Sequence, residues 1–221
     1  MDELTTAIPK PMLDLAGRRL LEYKLDILDS QFESIVIIVG YEGDVIRNYF
    51  GGAYQGKPIH YAEQKLEKGT AGALWAAKDL LTDRFLVMMG DDVYAKEDIE
   101  QCLGVQDGWA VVGQGLQEMH RAGSIEVGED GLVERIMEGD LGALPGLAST
   151  NMYLFDKRLF ECPLVPKQAG SLEFGLPQTA ADGAKAAGIP FHVLYTEAWI
   201  QINSPADLTH AAATLKALHR I

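Results

Sequence analysis

The stretch of residues 63–92 constrains the fold of this chain more than any other. It contains a Gly-Thr-Ala-Gly segment at residues 69–72, a helical run to residue 81, and the apolar residues 85–89 followed by Gly90-Asp91-Asp92. A loop, a helix and a buried strand in this order predict one unit of an open α/β sheet. In such sheets ligands bind outside the carboxyl ends of the strands, so the two aspartates are candidate site residues.

Helical and strand-like patterns alternate on both sides of this stretch. Continuous β-branched runs such as residues 35–39 are typical of strands buried on both faces of a parallel sheet. The alternation predicts an α/β fold with a doubly wound, mostly parallel, Rossmann-like sheet, and the Asp130-Gly131 turn predicts a small antiparallel β hairpin inserted in it. We expect helices at residues 18–30, 44–50, 70–81, 95–103 and 173–187 and from Ser204 onward, and strands at residues 35–39, 59–62, 85–89, 110–113, 123–127, 132–136, 149–155 and 191–195.

The charge of the chain excludes two classes of partner. Among 221 residues, 32 are acidic and 19 are basic, which gives a formal net charge of −13. Nucleic acids and anionic membranes bind basic surfaces, so we expect neither as a partner. A nucleotide is not excluded, because one lysine and a magnesium ion can hold phosphates on an acidic protein.

Other bulk properties indicate a cytoplasmic protein with one domain. Cys102 and Cys162 are far apart and lack metal-ligand spacing, so we expect no disulfide framework and a reducing compartment. No apolar run approaches the roughly 20 residues of a membrane span, and the acidic start is unlike a signal peptide. With 48% apolar residues, the chain can build a core over residues 1–221.

Several side chains suit a nucleotide site, although each has an ordinary structural alternative. A carboxylate at the end of a buried strand, such as Asp91, usually has a cation or a helix N-terminus as its partner. The amide of Gln64 can make two hydrogen bonds to a base edge, or it can be a common surface residue. Lys10 lies between two prolines in an extended loop and would by itself be interpreted as a solvated lysine. Thr70 and Asp92 have the alternative role of helix N-caps.

The order and spacing of these residues resemble the sugar-phosphate nucleotidyltransferases, also called NDP-sugar pyrophosphorylases. The resemblance extends from Pro9-Lys10-Pro11-Met12-Leu13 to Trp199-Ile200-Gln201-Ile202. It implies a glycosyltransferase-A-like variant of the fold, with a nucleotide-binding half at residues 1–115 and a sugar-binding half at residues 116–221. It also implies that Lys10 reaches phosphates, that Asp91 holds Mg²⁺, and that Gln64, Gly69, Thr70 and Asp92 lie at the nucleotide.

The resemblance also implies a set of sugar-binding residues in the second half of the chain. The family uses a glycine before a hairpin strand, a glutamate after the hairpin and an asparagine on the next strand. The matching residues here are Gly123, Glu138 and Asn151. Tyr153 is expected on the same strand face as Asn151, where it would either wall the sugar or lie in the core.

Three departures from the family concern phosphate and metal handling. The family's Gly-rich loop ends Gly-Thr-Arg-Met, and Met1 falls on that methionine, so we expect this sequence to be a shortened copy that lacks the loop and the strand before it. Gln201 stands where the family has an aspartate that is its second metal ligand, and a neutral amide weakens metal binding. The family's Glu-Lys-Pro appears here as Glu138-Gly139-Asp140. The lysine that would contact the sugar phosphate is therefore absent, and Asp140 puts a negative charge nearby.

Two functions follow from these observations. The first is an enzyme that transfers a nucleotidyl group from a nucleoside triphosphate to a sugar 1-phosphate, giving an NDP-sugar and pyrophosphate. The second is a non-catalytic relative that binds an NDP-sugar and has lost the chemistry. The base and the sugar are left open by the sequence, and the resemblance alone implies a homodimer.

Overall fold

The structure, a computed structural model, describes residues 8–64, 69–119, 123–139, 142 and 144–217. Met1 and Asp140, which carry two of the predicted departures, lie outside these residues. The chain forms two compact units whose segments alternate along the sequence. Unit 1 comprises Met1–Tyr61, Met89–Lys96 and Ala198–Ile221, and unit 2 comprises Ala62–Met88 and Glu97–Glu197. The expected division into a nucleotide-binding and a sugar-binding half stays a prediction.

The described chain is an α/β protein, as the alternation predicts. The helices are α1 (Leu20–Asp26), α2 (Gly43–Phe50), α3 (Gly69–Ala76), α4 (Lys96–Gly104), α5 (Leu176–Ala187) and α6 (Pro205–Ala217). The strands are β1 (Asp14–Leu15), β2 (Arg18–Arg19), β3 (Ile35–Val39), β4 (Ala53–Tyr54), β5 (Lys57–Glu63), β6 (Arg84–Val87), β7 (Trp109–Leu116), β8 (Gly123–Val127), β9 (Val133–Met137), β10 (Gly146–Asp156) and β11 (Phe191–Thr196).

Unit 1 is organised around a three-stranded sheet in the order β3-β5-β4. One face of β3 and one side of α1 and α2 bury a shared apolar cluster, which explains why alternate β3 residues are buried. The predicted helix at residues 18–30 is shorter in the structure, because Arg18-Arg19 pair with Asp14-Leu15 as the hairpin β1–β2. Ala16 and Gly17 both have positive φ, as a tight two-residue hairpin turn requires.

Helix α6 packs through one apolar face. Ala211 and Leu215 are buried in an apolar cluster, and Leu208 and Ala212 pack against it. The start of the helix is capped, since the Ser204 hydroxyl accepts a hydrogen bond from the backbone N–H of Asp207 at 3.2 Å.

Unit 2 contains a six-stranded sheet in which β10 is central. The order is β11-β7-β10-β8-β9, and β6 pairs with β10 as well. Strand β11 is parallel to β7, whereas β10 is antiparallel to β6, β7 and β8. The sheet is therefore mixed, and the predicted small hairpin is confirmed as the antiparallel pair β8–β9, with Ile125 opposite Ile136. Within the described ranges, no helix has the length and apolar character needed to cross a membrane.

Candidate active site

The predicted site residues fall into two groups, one in each unit. Unit 1 contains Lys10, Asp91, Asp92 and Gln201. Unit 2 contains the remaining predicted residues, which are Gln64, Gly69, Thr70, Gly123, Glu138, Asn151 and Tyr153. Each group is built by its own local architecture.

In unit 1, Lys10 and Asp91 form an ion pair. The Nζ atom of Lys10 lies 2.7 Å from Oδ2 of Asp91 and 3.5 Å from Oδ1 of Asn203. The two side chains are 24% and 28% exposed, so ligands can reach both. Lys10 begins a short 3₁₀ helix immediately after Pro9, and Gly90 leaves space for Pro11, since a Cβ at position 90 would lie 2.9 Å from Cγ of Pro11. The fold thus brings together an ammonium and a carboxylate that are 81 residues apart in the sequence.

Asp92 differs from its neighbour because its carboxylate is buried, with the residue 4% exposed. Its Oδ2 accepts a hydrogen bond from Nε1 of Trp199 at 3.1 Å, and its Oδ1 accepts one from the backbone N–H of Ile202 at 3.3 Å. Burial raises the pKa of Asp92 to about 6, so the group is still largely ionised at neutral pH. The predicted nucleotide contact of Asp92 stays a prediction, whereas the alternative N-cap role is wrong, because α4 begins only at Lys96. Asp92 joins residues 90–93 to residues 199–202.

Lys24 is the residue of this region that the sequence analysis missed. It is only 2% exposed, and its Nζ donates to the carbonyl oxygen of Leu20 at 3.2 Å and to the carbonyl oxygen of Asp92. Burial lowers its pKa to about 8. A signal was present, because Leu21, Lys24, Leu25 and Leu28 follow the i, i+3, i+4, i+7 spacing of one helix face.

Gln201 lies in a segment that runs beside the two aspartates. Val93 and Ile200 form an antiparallel bridge on one side of it, and the N–H of Ile202 binds Asp92 on the other. Among the described residues, no group of three His, Cys, Asp or Glu side chains could hold a metal ion. One ion-paired carboxylate and one neutral amide offer a magnesium ion less negative charge than two carboxylates would. The metal role expected for Asp91 and Gln201 therefore stays a prediction.

In unit 2, Gly69 and Thr70 begin α3 and are held by the segment that leads into α5. The Thr70 hydroxyl accepts a hydrogen bond from the N–H of Leu176 at 2.9 Å, and the N–H of Ala71 donates to the carbonyl oxygen of Phe174 at 3.1 Å. Thr70 thus uses its hydroxyl oxygen on the start of α5, 106 residues away. Gln64 is half-buried and follows β5 directly.

Gly123 and Glu138 lie side by side at the base of the hairpin β8–β9. A Cβ on Gly123 would lie 3.7 Å from Cγ of Glu138. Nε2 of Gln178 donates to Oε2 of Glu138 at 3.3 Å, and Gly175 leaves the space that the Gln178 amide occupies. Gln178 was not among the predicted site residues, because its contact with Glu138 joins residues 40 positions apart and has no local pattern.

Asn151 lies at an irregularity of the central strand. The register between β10 and β7 shifts between Ser149 and Tyr153, and Asn151 has a φ of 59°. A bulge of this kind turns a side chain away from the regular alternation. Tyr153 donates from its hydroxyl to Oδ1 of Asn151 at 3.2 Å and lies 2.9 Å from Oγ of Ser149. With 1% exposure, Tyr153 takes the core alternative, and it supports Asn151 from beneath.

Gly69→Ala is expected to destabilise the protein by about 2–3 kcal/mol. Gly69 has a φ of +66°, and a Cβ there would lie 2.5 Å from the carbonyl oxygen of Phe174, which is backbone and cannot rotate away. Thermal unfolding should show the melting temperature lowered by about 5–10 °C. Gly115→Ala is the matched control, because a Cβ at position 115 meets nothing within 4 Å. Equal melting temperatures for the two variants would refute the backbone requirement at position 69.

Comparison with known proteins identifies the family of this arrangement. The sequence profile described as nucleotidyl transferase matches residues 1–216. The chain belongs to this family. The bifunctional protein GlmU of Methanococcus maripaludis is 29% identical over 214 residues, which cover 94% of this chain and 49% of that protein. The UTP--glucose-1-phosphate uridylyltransferase AglF of Haloferax volcanii is 27% identical over 224 residues, which cover 96% and 90% of the two chains. This nucleotidyl transferase chain thus spans about half the length of the GlmU relatives it matches.

Solved structures share the fold. A putative glucose-1-phosphate thymidylyltransferase from Bacillus anthracis, solved with a sucrose, superposes with a TM-score of 0.82 at 20% identity and covers 97% of this chain and 89% of its own. HddC from Yersinia pseudotuberculosis superposes with a TM-score of 0.71 at 21% identity and covers 96% and 93% of the two chains. The α/β fold predicted from the sequence is therefore shared with these two solved structures.

Proposed function

We propose that this nucleotidyl transferase uses a sugar 1-phosphate as its acceptor. A phosphate oxygen of the sugar 1-phosphate attacks the α-phosphorus of a nucleoside triphosphate. The bond between that phosphorus and the oxygen bridging to the β-phosphorus breaks, and pyrophosphate leaves with the electron pair. The products are an NDP-sugar and pyrophosphate. Family membership and the name of the relative AglF, which acts on UTP and glucose 1-phosphate, support this acceptor class.

The contact between Lys10 and Asp91 is the observation that carries the proposal. A transfer of this kind needs little covalent chemistry from the protein, which contributes positioning and charge neutralisation. Lys10 is a partly exposed cation held in a defined place by Asp91. Its ammonium is suited to bind the phosphates of the triphosphate, and three donor hydrogens let it contact more than one phosphate oxygen.

Unit 2 supplies groups suited to recognising the base and the sugar. Gln64 offers an amide donor and acceptor for a base edge, and Gly69 lets a flat ring approach the backbone closely. Glu138 and Asn151 are oriented by Gln178 and Tyr153, respectively. Carboxylate and amide oxygens held in this way accept hydrogen bonds from sugar hydroxyls with little loss of side-chain entropy.

We write the donor as the magnesium salt of the nucleoside triphosphate. We assign the metal to the substrate, because the described residues of unit 1 offer it one ion-paired carboxylate and one neutral amide. Neutralisation of the phosphates by the bound ion lowers the charge that Lys10 has to balance.

A product assay tests the proposal directly. The full chain is incubated with each of UTP, dTTP, CTP, GTP and ATP, with glucose 1-phosphate or N-acetylglucosamine 1-phosphate, and with magnesium. Pyrophosphate release and the NDP-sugar are then measured together, since hydrolysis of the triphosphate alone would release phosphate without forming a sugar nucleotide. Stoichiometric NDP-sugar and pyrophosphate with one pair of substrates are expected. Triphosphate cleavage that does not depend on a sugar phosphate would refute the acceptor class.

Glu138→Gln is expected to raise the KM for the sugar 1-phosphate about 10- to 100-fold, because a hydrogen bond to a charged acceptor contributes about 1.5–3 kcal/mol. The KM for the triphosphate should change little. Steady-state kinetics with each substrate varied in turn measures both. Glu134→Gln is the matched control, because Glu134 lies on the same hairpin and is exposed. If both KM values rise equally in Glu138→Gln, the carboxylate is not a specific sugar contact.

Two features of unit 1 favour a second candidate function, the binding of an NDP-sugar without transfer. Gln201 offers a metal ion no negative charge, and Asp91 is already paired with Lys10. Both features weaken the handling of a triphosphate more than that of a diphosphate sugar. Calorimetry with UDP-glucose and with UTP and magnesium distinguishes the candidates. Tight binding of UDP-glucose with no detectable turnover would support the second, and equal or tighter binding of the triphosphate would refute it.

A further inference from the structure

Four charged side chains meet at the turn of residues 90–93, and their charges cancel. Lys10 contacts the Asp91 carboxylate, and Lys24 contacts the Asp92 main-chain oxygen. Two ammonium groups thus balance two carboxylates within unit 1. A turn that is already neutral attracts a further cation far less strongly than a pair of unbalanced aspartates would.

Lys24 and Asp92 are the first pair of these charges, and both are held in place in the interior. It is 2% exposed and hydrogen-bonded to two carbonyl oxygens, so its charge cannot move out into solvent. The Asp92 carboxylate beside it is equally fixed, because Trp199 and Ile202 donate to its two oxygens. Asp92 therefore has neither a free oxygen nor the exposure that a metal ligand needs.

Lys10 and Asp91 are the second pair of charges. Its Nζ lies on Oδ2 of Asp91 and also within 3.5 Å of Oδ1 of Asn203, so it occupies the space beside the exposed carboxylate. A divalent ion that binds Oδ2 of Asp91 has to displace this ammonium, and one that binds Oδ1 meets its positive charge close by. The neighbouring amide of Gln201 adds no negative charge that would favour the exchange.

We propose that Lys10 occupies Asp91 in place of a metal ion, so that Asp91 offers no divalent-metal site before a nucleotide binds. This follows from the charges and contacts of the described residues of unit 1 and does not depend on the proposed reaction. Its consequence is that a divalent metal reaches Asp91 only as a complex with a phosphate ligand.

Titration of Mn²⁺ into the full chain without nucleotide tests this, with free Mn²⁺ followed by electron paramagnetic resonance. We expect wild type to show no saturable site that depends on Asp91. Lys10→Met should bind Mn²⁺ roughly tenfold more tightly than wild type, since the competing charge is gone. Adding Asp91→Asn to Lys10→Met should abolish that gain. Lys10→Arg, which keeps the charge, and Lys57→Met, which removes a different lysine of unit 1, are expected to behave as wild type.

Two results would overturn the inference. One is a saturable Mn²⁺ site in wild type that Asp91→Asn removes, and this measurement needs no Lys10 variant to fold. The other is a Lys10→Met protein that is folded by circular dichroism and binds Mn²⁺ no better than wild type. Because the experiment uses the metal alone, failure of the product assay would leave its outcome unchanged.

Discussion

Asp91→Asn is expected to lower turnover about 100- to 1000-fold, the usual effect of removing one electrostatic group from a polar active site. Asparagine keeps the shape of aspartate but removes the charge that positions Lys10 at 2.7 Å. Folding should be intact, because the Asp91 side chain is partly exposed and Lys10 can be solvated when it loses its partner. Formation of NDP-sugar with saturating substrates is the measurement.

Asp44→Asn provides the control for this variant. Asp44 is also an aspartate of unit 1, but its side chain is 92% exposed and its ion pair with Arg47 is long, at 3.9 Å. It should retain full activity. Turnover by Asp91→Asn equal to that of Asp44→Asn would remove Asp91 from the reaction. Loss of activity accompanied by a lowered melting temperature would instead assign Asp91 a structural role.

Asp92→Ala is expected to give the largest loss of stability, about 3–5 kcal/mol, which is typical when one partner of a buried charged network is removed. The substitution leaves the indole N–H of Trp199 and the backbone N–H of Ile202 without their acceptor. It also leaves the buried ammonium of Lys24 without its nearest countercharge. Chemical denaturation should show a lower midpoint with a similar slope.

Two further variants show whether the network is the cause. Trp199→Phe removes the donor to Oδ2 of Asp92 together with part of a buried indole ring, and it should cost less stability than Asp92→Ala, because the Ile202 N–H still pairs with Oδ1. The double variant Lys24→Met with Asp92→Ala should lose less stability than the two single variants added together, because an unpaired buried charge is no longer present. Strict additivity of the stability losses would contradict coupling between Lys24 and Asp92. A smaller stability loss for Asp92→Ala than for Trp199→Phe would contradict the network as a whole.

The sequence by itself determined the local elements of this protein. The run of residues 35–39 is the strand β3 as predicted, although alternate side chains are only half-buried where the run predicts burial on both faces. The Asp130-Gly131 turn joins the hairpin β8–β9. Ser204 and Pro205 begin α6 as predicted. These features depend on neighbours a few residues apart, so hydrophobic periodicity, turn chemistry and capping are sufficient to predict them. The resemblance to the family rests on the same kind of local pattern, and the match over residues 1–216 confirms it.

Only the tertiary structure decided how distant residues combine. The hydrogen bond between Asp92 and Trp199 joins residues 107 positions apart, and the bond between Thr70 and Leu176 joins residues 106 positions apart. No local sequence pattern predicts either bond. The same holds for β10, whose antiparallel pairing with β6, β7 and β8 makes the sheet of unit 2 mixed, although the alternation of elements predicts mostly parallel strands. The burial of Lys24 depends likewise on the carbonyl oxygen of Asp92, 68 residues away. Periodicity reports which face of an element is apolar, whereas the partner of a buried charge or of a strand edge is set by which segments meet in space.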